Sequence, residues 1–369
     1  MKAARYYAPG DIRIEDIPVP SLKDGQVKVR IAWNGICGSD IHAYLAGLPK
    51  FPTLTTPGPL SGETLPVTLG HEFSGTIVEL GAGTDGRFAV GQNVCVEPIM
   101  SCRREGSCWP CHEGFHNLCP LVNSIGIGGW GGGLSEIVCV DQDTVHILPE
   151  GISLEVGACL EPLAVAWHAV KRSGYKAGDT ALILGAGPIG LFLLKVLRAI
   201  DPNSIIVVSE PAALRLEVAS QHGATITANP LESDIPSIIT KATNGKGIDH
   251  AFDAAGVQSG IDLTLKCVRP RGSVMLVALW ETSPKIDLNS VLRREINITG
   301  SICYDRVHEE VLEALKDGRI SDIDSLITSR IALDNVVEQG IKALIQEKDK
   351  QVKILVSLIE LKDGISGRP

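Results

Sequence analysis

The feature that most constrains this chain is a spaced glycine triplet, Gly185-Ala186-Gly187-Pro188-Ile189-Gly190. It sits directly after the apolar run Ala181 to Leu184 and opens an apolar helical stretch. In a chain with 39 glycines a triplet alone says little, but this placement says more. Gly185 permits a tight strand-to-helix turn, Gly187 lets backbone approach a pyrophosphate, and Gly190 permits close packing of helix on strand. The helix that begins at Pro188 and Ile189 then points free backbone N–H groups at the phosphates. A second β-branched run, Ile205 to Ser209, ends in Glu210, twenty residues beyond Gly190, where an acidic side chain accepts ribose hydroxyls. A carboxylate there repels a 2′-phosphate, so the spacing predicts NAD(H) over NADP(H). Arg215 works against that preference, because a nearby guanidinium can bind the same phosphate.

Six β-branched runs alternate with helical spacers after Thr180: Ala181 to Leu184, Ile205 to Ser209, Thr225 to Ala228, His250 to Asp253, Val274 to Leu279 and Ile296 to Ile302. That is the pattern of a parallel α/β sheet. The first ~150 residues differ: short runs (Val27 to Ala32, Phe73 to Leu80, Asn93 to Val96, Ser135 to Val140) lie between Gly, Pro and Asp turns. Further on, Asp334 to Ile345 predicts an amphipathic helix, Val352 to Leu358 a strand, and Lys362 to Pro369 a frayed tail. Leu48 to Pro66 carries five prolines and reads either as a surface loop or as a semi-rigid flap over a functional site.

A length of 369 residues suits about two domains. A net charge of −9, with no run of five Lys or Arg, argues against a nucleic-acid partner. No apolar stretch follows Met1, and the run Ala181 to Leu194 stops at Lys195, short of the ~18 residues a membrane span needs. The expectation is therefore a cytoplasmic chain with no membrane partner. A chain this long builds a core without disulfide staples, so its ten cysteines need another explanation. In a reducing compartment, clustered thiols more often hold metal.

Two clusters suit that explanation. Cys108-x2-Cys111-x7-Cys119, with Cys102 six residues before Cys108, suggests tetrahedral Cys₄ zinc, a closed and therefore structural site. The second set is dispersed: Gly35-Ile36-Cys37-Gly38-Ser39-Asp40-Ile41-His42, Gly70-His71-Glu72 and Cys159-Leu160-Glu161-Pro162. Together these offer a thiolate, an imidazole and carboxylates, a set suited to catalytic zinc with one open position.

These motifs, with Glu-Pro-Leu-Ala-Val at 161–165 and Ser-Glu-Pro at 209–211, resemble the zinc-dependent medium-chain alcohol dehydrogenases over nearly the whole chain. Within that family the chain looks most like the butanediol dehydrogenases, with sorbitol and other polyol dehydrogenases close behind. The resemblance implies an α/β protein: a GroES-like β-rich catalytic domain (1–155 and 301–369) plus a Rossmann domain (156–300) with a doubly wound, parallel six-stranded sheet. It implies that Cys37 and His71 ligate catalytic zinc and that Glu72 and Glu161 supply the carboxylate. Asp40 then fixes the His71 ring by a hydrogen bond.

Cys102, Cys108, Cys111 and Cys119 hold the structural zinc in the same reading. The commonest family spacing places a cysteine at 105, where this chain has Glu105. Cys102 fits with a loop three residues longer, and its thiolate suits a Cys₄ set better. The implied reaction is reversible NAD(H)-dependent oxidation of a secondary alcohol, such as a vicinal diol, to the ketone. Ser39 takes the hydroxyl proton and His42 passes it to bulk water. A sorbitol or pathway-specific dehydrogenase is the enzymatic alternative, and a non-catalytic NAD-binding scaffold the alternative of another class. Tyr44, Trp130 and Trp167 read as pocket lining or as core. The resemblance also implies a homodimer or homotetramer, with Ile296 to Ile302 available for edge-to-edge pairing. Cys95, Cys139, Cys159, Cys267 and Cys303 read as small buried hydrophobes, and no disulfides are expected.

Overall fold

The six β-branched runs become six parallel strands, ordered Ile226–Ala228, Ile206–Ser209, Ala181–Leu184, Ile248–Asp253, Val268–Leu276 and Asn297–Gly300. In chain order that is third, second, first, fourth, fifth, sixth, the doubly wound arrangement that binds dinucleotides where the order reverses. This is a computed structural model, describing residues 1–48, 51–102 and 108–359. The near-continuous apolar character of the inner strands follows from burial on both faces; all four residues of Ala181–Leu184 are buried. Leu182, Val207, Ala251 and Val274 pack with Ile235, Ile239, Ile261 and Leu265 from the flanking helices. The fifth strand ends earlier than its apolar run predicts, because the Val277 and Ala278 N–H groups turn to the Asp253 carbonyl.

The chain divides into two compact units. The second comprises Pro162–Val307 and Asp317–Ser321, and holds this sheet. The first comprises Met1–Glu161, His308–Lys316 and the chain from Asp322 onward. Its main sheet runs Val145–Ile147, Asn93–Val96, Phe73–Leu80, Gln26–Gly35, Lys353–Ser357 and Ile327–Ala332, with Ile137–Asp141 also paired to Gln26–Gly35. Alternation buries Val27, Val29 and Ile31 along one face of the central strand. Lys353–Ser357 lies antiparallel to Gln26–Gly35 and parallel to Ile327–Ala332, so a C-terminal strand is built into the heart of the N-terminal sheet. A smaller antiparallel sheet joins Asp11–Asp16, Lys2–Ala8 and Val67–Thr68.

The single amphipathic helix expected over Asp334 to Ile345 is instead three short pieces: a 3-10 turn at Leu333–Asn335, a π-helical turn at Val336–Ile341 and an α-helix at Lys342–Gln346. The reason lies in packing. Gly340 presses against Ile36 so closely that a Cβ there would run into Ile36 Cδ1. The tail Lys362 to Pro369 lies outside the described residues, as does Pro49 of the proline-rich segment. Residues 51–66 form neither helix nor strand. They are pinned by Phe51 stacking on Tyr6 at 4.5 Å, by Ser61 Oγ donating to the Gly128 carbonyl (2.6 Å), and by the Glu63 carboxylate accepting the Trp130 N–H (2.7 Å).

Candidate functional site

In the second unit the glycine triplet builds the turn its spacing predicts. Gly185 has φ +87°, and Gly187 is the N-cap of Pro188–Ile200, with Pro188 and Ile189 in its first turn. A Cβ on Gly190 would run into the Gly185 carbonyl oxygen. Around a Cβ position at Gly187, only Arg215 Nη1 comes within 4 Å, at 3.8 Å, among the described residues. The mouth of this helix is therefore open to a pyrophosphate, with Arg215 beside it. Glu210 is buried at the end of the adjoining strand. Its Oε2 accepts the Ala186 N–H of the glycine loop (2.7 Å) and its Oε1 the Ala212 N–H (3.0 Å). Two backbone bonds thus fix the carboxylate against the loop that would carry the dinucleotide.

In the first unit the dispersed motif converges. Cys37 caps the helix Gly38–Ala46 just after the strand Gln26–Gly35, and His71 and Glu72 precede Phe73–Leu80. The neighbouring pairing of these two strands brings all three side chains together. Cys37 Sγ, a His71 ring nitrogen and a Glu72 oxygen lie within 4.8 Å of one another. Ser39 Oγ is 3.1 Å from His71 Nε2. His42, exposed, stands three residues further along the same helix, on the side Ser39 occupies. Glu161, in the first turn of Leu160–Ser173, falls outside the three-atom group but exerts its negative charge on His71.

The expected hydrogen bond from Asp40 to the His71 ring is not formed. Asp40 Oδ1 stands 3.7 Å from His71 Nδ1, because Oδ2 accepts the Cys37 N–H (3.0 Å) in the capping position three residues into the helix. Asp40 therefore orients the Cys37 backbone and acts on His71 as a charge. Burial opposes protonation of His71, yet Asp40, Cys37 and Glu161 outweigh it and push its pKa well above the ordinary value. A pocket so negative favours a cation of any kind, and thiolate, imidazole and carboxylate are zinc donors. The residues present fit a zinc ion.

Sequence reasoning missed one member of this site. Lys353, fully buried, donates to the Ile36 carbonyl (3.1 Å) and to Glu72 Oε2. Burial opposes its charge, but Glu72 and the Cys37 and Cys159 thiols outweigh it and raise its pKa. Gly35 leaves room for that pair, since a Cβ there would run into Glu72 Oε2 and Lys353 Cε. Tyr44 packs against the core around Ala43 and Ile341, and Trp130 against the core around Phe73 and Ile125, so both are seen in packing roles.

The four cysteines of the lobe also converge. Sulfur separations are 3.3 Å (Cys102–Cys108), 3.6 Å (Cys102–Cys111), 3.4 Å (Cys102–Cys119) and 3.9 Å (Cys108–Cys119). Four sulfurs bound to zinc at about 2.3 Å stand ~3.8 Å apart, so the set is drawn up to tetrahedral size. Cys102 is the first of the four thiols brought together here; the alternative, Glu105, lies outside the described residues. All ten cysteines are unbridged. Cys95, Cys159 and Cys267 are buried, whereas Cys139 and Cys303, expected to be buried, are only half-buried.

Residues 23–150 match the family described as alcohol dehydrogenase GroES-like domain, and residues 188–317 match zinc-binding dehydrogenase. The chain belongs to the zinc-binding alcohol dehydrogenases, oxidoreductases acting on CH–OH groups. It is 40% identical to an (R,R)-butanediol dehydrogenase of Neisseria gonorrhoeae across 97% of this chain and 99% of that one. The crystal structure of 2R,3R-butanediol dehydrogenase from Bacillus subtilis superposes with a TM-score of 0.89 at 39% identity, covering 96% of this chain and 99% of the other. A sorbitol dehydrogenase of Bacillus subtilis is 34% identical over 96% of this chain and 97% of its own length. Among the described residues, no helix is long and apolar enough to cross a membrane.

Proposed function

We propose that this chain interconverts a vicinal diol of the 2,3-butanediol type and its α-hydroxyketone, acetoin, with NAD(H) and zinc. The observation that carries the reading is the Cys37–His71–Glu72 group beside Ser39, in a chain about as similar along its whole length to butanediol dehydrogenases as 40% identity makes it. Zinc polarises the substrate oxygen and nicotinamide takes up or returns hydride when each is bound. Cys37 and His71 hold the catalytic ion, with the carboxylate supplied by Glu72 and, in exchange, Glu161. Ser39 Oγ receives the hydroxyl proton and His42 passes it to water. Cys102, Cys108, Cys111 and Cys119 hold a second, structural zinc. A carboxylate-rich pocket gives the second oxygen of a diol a polar partner.

Gly185, Gly187, Pro188, Ile189 and Gly190 form the pyrophosphate seat. Glu210 selects NAD(H), and Arg215 stays beside the phosphates. The catalytic domain is 1–155 with 301–369, and the NAD-binding domain 156–300. Ten unbridged thiols support a reducing, cytoplasmic setting. The strand Asn297–Gly300 ends the second sheet, and the neighbouring helix exposes Leu288 and Leu292, which supports a homo-oligomer. The test is kcat/KM for 2,3-butanediol, acetoin and sorbitol with NAD(H) and NADP(H). Butanediol with NAD is expected to lead. Sorbitol ahead of butanediol supports the polyol reading, favoured by the 34% identical relative, and overturns this one.

A further inference from the structure

The first unit gathers another donor set away from both zinc groups. Glu97 follows the strand Asn93–Val96, His146 lies on the paired strand Val145–Ile147, and His308 opens the helix His308–Lys316. His146 pairs directly with Cys95, and the two-residue alternation puts Glu97 on that same face. Val94, Val96 and Val145 point the other way, into the core. We infer that Glu97, His146 and His308 form a third metal site, for a divalent first-row transition ion such as zinc.

The separations carry the inference. Glu97 Oε2 is 3.4 Å from His146 Nε2 and 3.6 Å from His308 Nδ1, and the three donor atoms lie within 4.8 Å of one another. Ligands held at about 2.0–2.1 Å around four-coordinate zinc stand ~3.3 Å apart, close to both values. The longer one is beyond a good hydrogen bond. Two of the donors are deeply buried: Glu97 is 7% exposed and His308 1%. The outer side is also in place. His146 Nδ1 lies 2.8 Å from Glu309 Oε1, the carboxylate–imidazole pairing that orients a metal-binding histidine and fixes which ring nitrogen it offers. The two rings are nearly parallel, with centroids 4.7 Å apart and planes 9° apart, so binding turns one ring until both nitrogens face the ion. The ion then fastens the start of His308–Lys316 to the edge of the first unit's main sheet.

The site is independent of the substrate assignment, and its test reads metal directly. Wild-type enzyme and the variants His308→Phe and Glu97→Gln are dialysed against micromolar zinc chloride and their zinc measured by mass spectrometry. Wild type is expected to hold one equivalent more than either variant, with diol turnover unchanged. Wild-type crystals soaked in zinc and measured at the zinc edge are expected to show an anomalous peak between Glu97, His146 and His308. Equal zinc content in folded, active variants overturns the inference, and so does an anomalous map without that peak. The map decides even if a variant fails to fold.

Discussion

Lys353 is the residue on which the catalytic pocket's charge balance turns. It is 281 positions from Glu72 in the chain, yet its ammonium meets that carboxylate in the interior. Removing one member of a buried pair strands the other, typically at about 3–5 kcal/mol. Lys353→Met is therefore expected to lower the melting temperature by several degrees and to free a Glu72 oxygen beside Cys37 and His71. The double variant Lys353→Met/Glu72→Gln is expected to regain much of that stability, since no buried charge is then left alone. Calorimetry on the four proteins measures the coupling; strictly additive losses would show that the pair carries no such role. The contrast with Cys37 and His71 shows what a sequence displays. Those residues announce themselves through local phrases, because a turn, a cap and a ligand must be adjacent in the chain. Lys353 sits in an unremarkable apolar strand, and only the sheet pairing of Lys353–Ser357 with Gln26–Gly35 makes it part of the site.

Among the elements, the cysteine lobe depends most on what it binds. Among its described residues the regular structure is a four-residue helix, Trp109–His112, and a 3-10 turn, His116–Leu118, with Trp109, Phe115 and Leu118 exposed. So small a segment has little core to hold it, and the four thiols sit at metal-ligand spacing. Burial and the neighbouring thiols push Cys111 up to about 12, so in the absence of a cation this thiol stays protonated at neutral pH. Cys102→Ser is expected to lose one zinc equivalent and the lobe's protection from hydrogen exchange. Glu105→Gln is expected to lose neither. The reverse pattern would assign the fourth ligand to Glu105. The apolar strands Ala181–Leu184 and Phe73–Leu80 were legible at their observed bounds, whereas Val268–Leu276 begins six residues before its expected start. The stretch Asp334 to Ile345 was not legible, because apolar spacing reports a helical face and not how tightly the turns are wound. There the contact of Gly340 with Ile36, from a distant part of the chain, decides.

At the scale of the whole molecule, two compact units hold separate candidate sites. The core of the second unit draws on residues from Leu182 to Ile296, whereas one core of the first joins Ala4 and Tyr6 to Ile354 and Val356. Length and spacing led to an expectation of two domains; that Lys353–Ser357 returns to the first sheet comes from pairing, which no local pattern encodes. Anything that binds only the folded form of a unit stabilises that unit by mass action, about 2.7 kcal/mol at a hundredfold excess over Kd. NADH is therefore expected to slow hydrogen exchange in Ala181–Leu184, Ile206–Ser209 and Ile248–Asp253. A zinc chelator is expected to hasten it around Cys37, His71 and the cysteine lobe, and to leave those three strands unchanged. Mass-spectrometric exchange on the full chain resolves both sets of peptides in one experiment. Equal protection of Gln26–Gly35 and Ala181–Leu184 by NADH would mean that the units open as one cooperative body. Protection confined to the second unit would mean that the glycine turn and Glu210 carry the cofactor's stabilising effect within a fold that opens on its own.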